Sequence, residues 1–144
     1  AYYLVNILIN NKIKSMVTEY KLEIYKIPLE AIKNGSKRIE IRTNNSYENI
    51  NYEALQPGDL ISFQIINGPP FVNLDVVVPD ALKVRVLNVV KYKNPKDLLI
   101  KEGLDVLSTM VNSLEEGIEM LYSFHEYKEM IPIHGIYAIE IETI

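Results

Sequence analysis

The chain has 144 residues, 48% hydrophobic and 24% charged, with a formal net charge of −4. This is the size of one domain and the composition of a globular one, and no apolar run approaches the roughly 18 residues of a membrane-spanning helix, so disorder and a membrane span are excluded. With no cysteine there is no disulfide, thiolate zinc site or cysteine nucleophile, and the negative charge means that any affinity for nucleic acid comes from a local patch.

The first fifteen residues, AYYLVNILINNKIKS, carry their lysines after the apolar stretch, the reverse of an export signal. They either add a strand, since Tyr3, Val5, Ile7 and Ile9 alternate with Leu4, Asn6, Leu8 and Asn10, or precede a true start at Met16. Residues 1–18 are therefore set apart as an N-terminal extension from a domain over 19–144. From Glu19 the alternation of EYKLEIYKI puts Tyr20, Leu22 and Ile24 on one face of a half-buried strand that ends at Pro28. PLEAIKNG reads as a short helix with Pro28 in its first turn and Gly35 as its left-handed cap. KRIEIR is strand-like, with Ile39 and Ile41 on one face and Arg38, Glu40 and Arg42 on the other.

TNNSYENINYEAL is a polar loop, and QPGD makes a type II turn into the strand LISFQII. NGPP turns the chain again before a strand FVNLDVVV, and KVRVLNVVKY, after the PDA break, is a further one. Asn94 before Pro95, with Asp97 three residues on, is a helix N-cap signal that Ser113 and Glu116 repeat, so two or three helices cluster here. After a loop around Pro132, GIYAIEIETI closes the chain as a strand. Many short strands with one late helical insertion predict an α+β fold, a small mixed β-barrel with short flanking helices.

Phosphate-binding glycine loops, GxSxG and HExxH are all absent. His125 and His134 are either a metal-binding pair completed by a carboxylate or two surface histidines; with no third ligand at fixed spacing, no metal or cofactor is expected. The segment NGSKRIEIR carries the stronger signal, because Gly35, Lys37, Glu40 and Arg42 fall in the spacing GxKxxExR. A helix cap there hands the chain to a strand projecting a carboxylate among guanidiniums, with an ammonium at its mouth. Such a cluster either holds an anionic or amide-bearing ligand or is an exposed strand face with paired charges. Lys83 and Arg85 extend a basic stripe if their strand neighbours the motif, and Tyr47 and Tyr52 are candidate stacking contacts from the polar loop.

GxKxxExR, followed in order by PGDLISF, KVRV, SLEEGIEMLYSF and GIYAIEI, resembles the activating-signal-cointegrator homology (ASCH) family over roughly Leu22 to Ile141. The resemblance implies a PUA-like barrel whose motif lines a cleft, and RNA or modified nucleosides and nucleotides as partners. Ligand-binding residues are then expected among Gly35, Lys37, Arg38, Glu40, Arg42 and Arg85, in a cytoplasmic protein with no membrane partner. One branch of the family is an amidohydrolase acting on acetylcytidine, whose functional lysine matches Lys37 and whose nucleophilic threonine matches Glu40. If the chain is instead a hydrolase, an amidohydrolase or ribonuclease, Lys37 and Glu40 are its candidate catalytic residues. A carboxylate in place of the threonine weakens the amidohydrolase reading.

Overall fold

The computed structural model describes residues 17–144; the added strand or alternative start expected before Met16 lies outside the described residues. Five strands, β1 (Glu19–Ile24), β2 (Ile39–Arg42), β3 (Leu60–Ile66), β4 (Val76–Tyr92) and β5 (Ile136–Thr143), form one sheet in the order β1-β3-β4-β5-β2. β1 runs parallel to β3, and the other neighbours are antiparallel. Helix α1 (Lys26–Lys33) joins β1 to β2, while α2 (Pro95–Glu102), α3 (Leu114–Ser123) and α4 (Tyr127–His134) fill the connection from β4 to β5. The α+β class stands, but the sheet is not closed into a barrel: β1 and β2 are its two edges and do not pair with each other.

The sheet separates two cores. Leu22, Ile24, Ile61, Phe63, Val84 and Val86 pack with Leu29 and Ile32 of α1 on one side, and Ile41, Ile136 and Ala138 meet Leu98, Leu99, Leu121 and Ile131 of the helical layer on the other. Each fully buried aliphatic side chain contributes on the order of 1.5–3 kcal/mol. The alternation of β5 serves both cores, with Tyr137, Ile139 and Ile141 in the first and Ile136 and Ala138 in the second.

Two expected breaks are absorbed into longer elements. FVNLDVVV and KVRVLNVVKY are not separate strands: residues 71–75 are loop, and β4 runs unbroken through Pro79 and Asp80. Asp80 takes φ +46°, its amide donates to Gln64 Oε1 at 2.7 Å, and its carboxylate accepts from Ser62 Oγ at 3.0 Å and Gln64 Nε2 at 3.2 Å. Side chains of β3 thus replace the ladder bonds that the bulge forfeits, so the strand bends without leaving the sheet. Pro132 likewise lies inside α4 and not in a loop; the carbonyl its missing N–H would have served belongs to Lys128, which is exposed to water.

The expected caps are present. Asn94 Oδ1 accepts from the Asp97 amide at 2.8 Å, and Ser113 Oγ from the Glu116 amide at 3.1 Å. α1 starts at Lys26, two residues before Pro28. Gly58 has φ +95°, as the third residue of the type II turn requires. Gly135 carries the chain from α4 into β5 at φ +75°, where a Cβ would stand 2.7 Å from the Tyr92 carbonyl oxygen.

Candidate functional site

The four residues of β2 divide between the layers. Ile41 turns into the helical core, so Glu40 and Arg42 turn to the opposite side, facing the gap between the two edge strands. This polar face is buried, not solvated: the side chains of Lys37, Glu40 and Arg42 are 8%, 9% and 13% exposed. The reading of GxKxxExR as an exposed, charge-paired strand face is therefore excluded.

Every charged group in the cluster has its partner inside the protein. Arg42 Nε donates to Glu40 Oε2 at 2.7 Å, Nη1 to Glu48 Oε2 at 3.0 Å and Nη2 to the Glu23 carbonyl on β1 at 2.9 Å. The guanidinium thus bridges the edges that the ladder leaves open. Lys37 Nζ donates to the carbonyls of Ile39 at 2.7 Å and Val106 at 3.3 Å and lies 3.5 Å from Glu40 Oε1. Burial alone would raise the Glu40 carboxyl, but Arg42 and then Lys37 more than offset it, and Glu40 is held below the ordinary carboxylate value. Burial likewise opposes the Arg42 charge, and Glu40 foremost among its neighbours drives its pKa up. Two cations and two carboxylates balance, so the cluster is close to neutral.

Around the cluster lie two adjoining compartments that share Pro69 and Phe124 in their walls. The first, about 330 Å³, is lined by Arg42 and Glu48 and by the aromatic residues Tyr25, Tyr47, Phe71 and His125. The second, about 250 Å³, has Lys37 and Glu40 beside Leu107, Ser108, Thr109 and Met120. In the first compartment the rings of Phe71 and His125 stack with centroids 4.7 Å apart and planes 8° from parallel, and Tyr47 lies 5.4 Å from His125 and 6.2 Å from Phe71. Burial, then the neighbouring Glu48, pushes the Tyr47 phenol up to about 12, so it stays a neutral hydroxyl at physiological pH. The loop bearing Tyr47 is latched to the helical layer by Ser46, whose Oγ donates to Glu126 Oε2 at 2.6 Å and whose amide donates to Oε1 at 3.2 Å.

The structure thus brings Lys37, Glu40, Arg42 and Tyr47 together and leaves other candidates aside. Gly35 and Arg38 are exposed and line another groove, which Lys37 also borders, with Glu140 and Glu142. Arg85 pairs with Glu142 at 3.0 Å and Lys83 with Glu19 at 2.6 Å, so the expected basic stripe is neutralised at the surface. Tyr52 is fully buried against Tyr137 in the first core and offers no stacking face. His125 and His134 do not line a common cavity: the first is in the aromatic compartment, and the second ends α4 beside Lys91.

Glu48 and Phe71 are the residues that sequence reasoning missed. Glu48 had a local signal, because Asn45 Oδ1 accepts from the amides of Tyr47 and Glu48 at 3.2 and 2.8 Å, an Asx turn of the kind that Asn three residues before Glu forms. Phe71 had none, since the apolar residues around it imitate a strand where the chain forms a loop.

No protein-family model and no curated protein sequence matches the chain. Among solved structures, the crystal structure of hypothetical protein PH0355 matches with a TM-score of 0.67 and 30% identity over 88% of this chain and 100% of its own. The solution NMR structure of protein PF0455 from Pyrococcus furiosus matches with a TM-score of 0.60 and 30% identity, over 88% of this chain and 98% of its own. The crystal structure of a mutant of the ZmASCH protein from Zymomonas mobilis is more distant, with a TM-score of 0.43 and 11% identity over 88% of this chain and 71% of its own. The identity to PH0355 and PF0455 over nearly their whole lengths establishes common descent, and with Lys37, Glu40 and Arg42 of GxKxxExR lining a cleft at the open side of an α+β sheet, the chain belongs to the ASCH family.

Proposed function

We propose that the two-compartment cleft binds RNA or a modified nucleoside through an unstacked base, in a cytoplasmic protein. The observation that carries this reading is the Tyr47, Phe71 and His125 wall standing in one compartment with Arg42 and Glu48. Flat, weakly polar ligands are held by stacking on such rings, at about 1–3 kcal/mol per base, while a polar edge sets orientation. The family resemblance supports the same class of ligand.

The geometry moves Lys37 away from the role first expected of it. A lysine facing two carbonyl oxygens and a carboxylate is held as a donor that ties residues 37–40 to the segment at Val106, and Glu40 is itself fully engaged. Binding therefore rests on the aromatic wall, with the charged cluster as its rigid floor. One observation favours the rival hydrolase reading: Ser108 and Thr109 are among the residues lining the same compartment as Lys37 and Glu40.

Titration of the protein with short single-stranded RNA and a nucleoside panel that includes acetylcytidine, with chromatography of the same samples, separates these readings. Saturable binding that falls at least tenfold in Phe71→Ala, with no new product, is the expected result. Product formation abolished by Thr109→Val or Lys37→Ala replaces the binding reading by the hydrolase. No response to any ligand refutes both.

A further inference from the structure

Resting on the reading of the cleft as a base-binding site, we infer that the aromatic compartment selects a nucleobase with positive charge on its ring, of the kind that methylation of a ring nitrogen produces, and gives no purchase to phosphate. The first support is the state of the cations. Among the described residues, Arg42 is the one Lys or Arg lining this compartment, and each of its three nitrogens already donates to Glu40, Glu48 or the Glu23 carbonyl. Lys37, in the adjoining compartment, faces Ile39, Val106 and Glu40. Among the described residues, a phosphate entering here would meet only the two remaining N–H groups of a guanidinium whose charge Glu40 and Glu48 already offset, and those carboxylates would repel it.

The second support is the sign of what remains. Glu23 and Glu48 line the compartment, and Glu126 bounds its ring cluster, with a carboxylate oxygen 3.7 Å from His125 Nε2 and two hydrogen bonds to Ser46. With Lys37, Arg42, Glu40 and Glu48 neutralising one another, the excess acids are Glu23 in the lining and Glu126 beside the rings, which no other Lys or Arg among the described residues of this wall balances, and the whole chain carries −4. A concave wall of one sign with low-dielectric sides concentrates field and favours a cation.

The third support is the chemistry of the wall. The faces of Tyr47 and Phe71 carry the negative end of the aromatic quadrupole, and a cation within about 6 Å of such a ring is attracted most strongly when the site excludes water. Both rings lie at the compartment's lining, and Tyr47 remains a neutral phenol. A neutral base gains stacking alone, whereas a ring-methylated cationic base gains stacking and the attraction of rings and carboxylates together.

The experiment is calorimetric titration of the intact protein with two matched pairs, guanosine against 7-methylguanosine and adenosine against 1-methyladenosine, each also as its 5′-monophosphate, at low and moderate salt. The expected result is at least tenfold tighter binding of the methylated, cationic member of one pair or both, a preference that shrinks as salt rises, and no gain from the 5′-phosphate. Phe71→Ala should lower affinity for the cationic nucleoside at least tenfold while its circular dichroism matches the wild type. Tyr47→Phe, which keeps the ring, should retain the preference. Equal affinity for neutral and cationic members, or tighter binding of the monophosphates, overturns the inference while leaving the base-binding function standing. Failure of every nucleoside to bind removes both.

Discussion

Replacing Arg42 by leucine removes a group that joins Glu40, Glu48 and the β1 edge. The variant leaves two carboxylates, 9% and 3% exposed, without their guanidinium and leaves the Glu23 carbonyl without its donor. Breaking a buried ion pair from one side costs about 3–5 kcal/mol, a large fraction of the roughly 5–15 kcal/mol that holds a domain folded. In urea, at a slope of roughly 1.5 kcal/mol per molar, that is a fall of about 2–3 M in the midpoint at pH 7.5. The pH dependence identifies the cause. In the wild type Glu40 is held below its unfolded pKa, so its contribution is fully present above the ordinary carboxylate range and is lost as pH falls through the folded value. Without Arg42, burial acts on Glu40 with only Lys37 against it, its pKa rises, and acidification toward pH 5 relieves the buried charge. The gap between wild type and variant should therefore narrow as pH falls from 7.5 to 5. A midpoint shift below about 0.5 M, or one that is the same at both pH values, would refute the assignment of Arg42 as the buried tie between the sheet's edges.

Further outcomes follow from particular contacts. Gly135→Ala sets a Cβ 2.7 Å from a backbone oxygen at φ +75° and should cost about 3 kcal/mol or more by thermal or urea unfolding. Asn94→Ala and Ser113→Ala each remove one N-cap bond and should cost about 1 kcal/mol, adding within a few tenths in the double variant because the caps serve separate helices. Arg85→Ala and Lys83→Ala break exposed, solvent-screened pairs and should leave the unfolding midpoint and RNA titrations essentially unchanged. Asp80→Ala removes the acceptor of the Ser62 hydroxyl and one of the acceptors of Gln64 Nε2, which keeps the Ser62 carbonyl, and should lower the urea midpoint measurably.

What the sequence made legible was local. The turn at Pro57–Gly58, both N-caps and the alternation of β5 are each specified within a few residues, and each is present. The failures have a common physical source. Alternation in IEIR sets which residues share a face but not which face meets solvent, and here both faces are buried because an edge strand lies between the helical layer and the sheet's open side. The partners that neutralise the motif are the carboxylate of Glu48 and the carbonyls of Glu23 and Val106, which lie 6, 19 and 69 residues from the group each one meets. No spacing rule reaches that far. Pro79 signals a strand end because proline removes a ladder donor, yet Gln64 and Ser62 on the neighbouring strand supply substitute bonds.

The closed arrangement of the cluster also bears on how the cleft can work. A buried ion-pair network is weak evidence of stability, since apolar residues of equal volume often serve as well, but it fixes orientation: Arg42 cannot move without stranding Glu40 and Glu48. On the proposed base-binding reading, such a floor contributes shape and the few polar atoms it leaves free. The selective elements are then the parts held on loops: Tyr47, positioned by the Asn45 turn and the Ser46–Glu126 latch, and Phe71, positioned by its stack on His125. Chains that differ in these two loops while keeping GxKxxExR would keep the floor and change the ligand, which places specificity in the residues the motif does not contain.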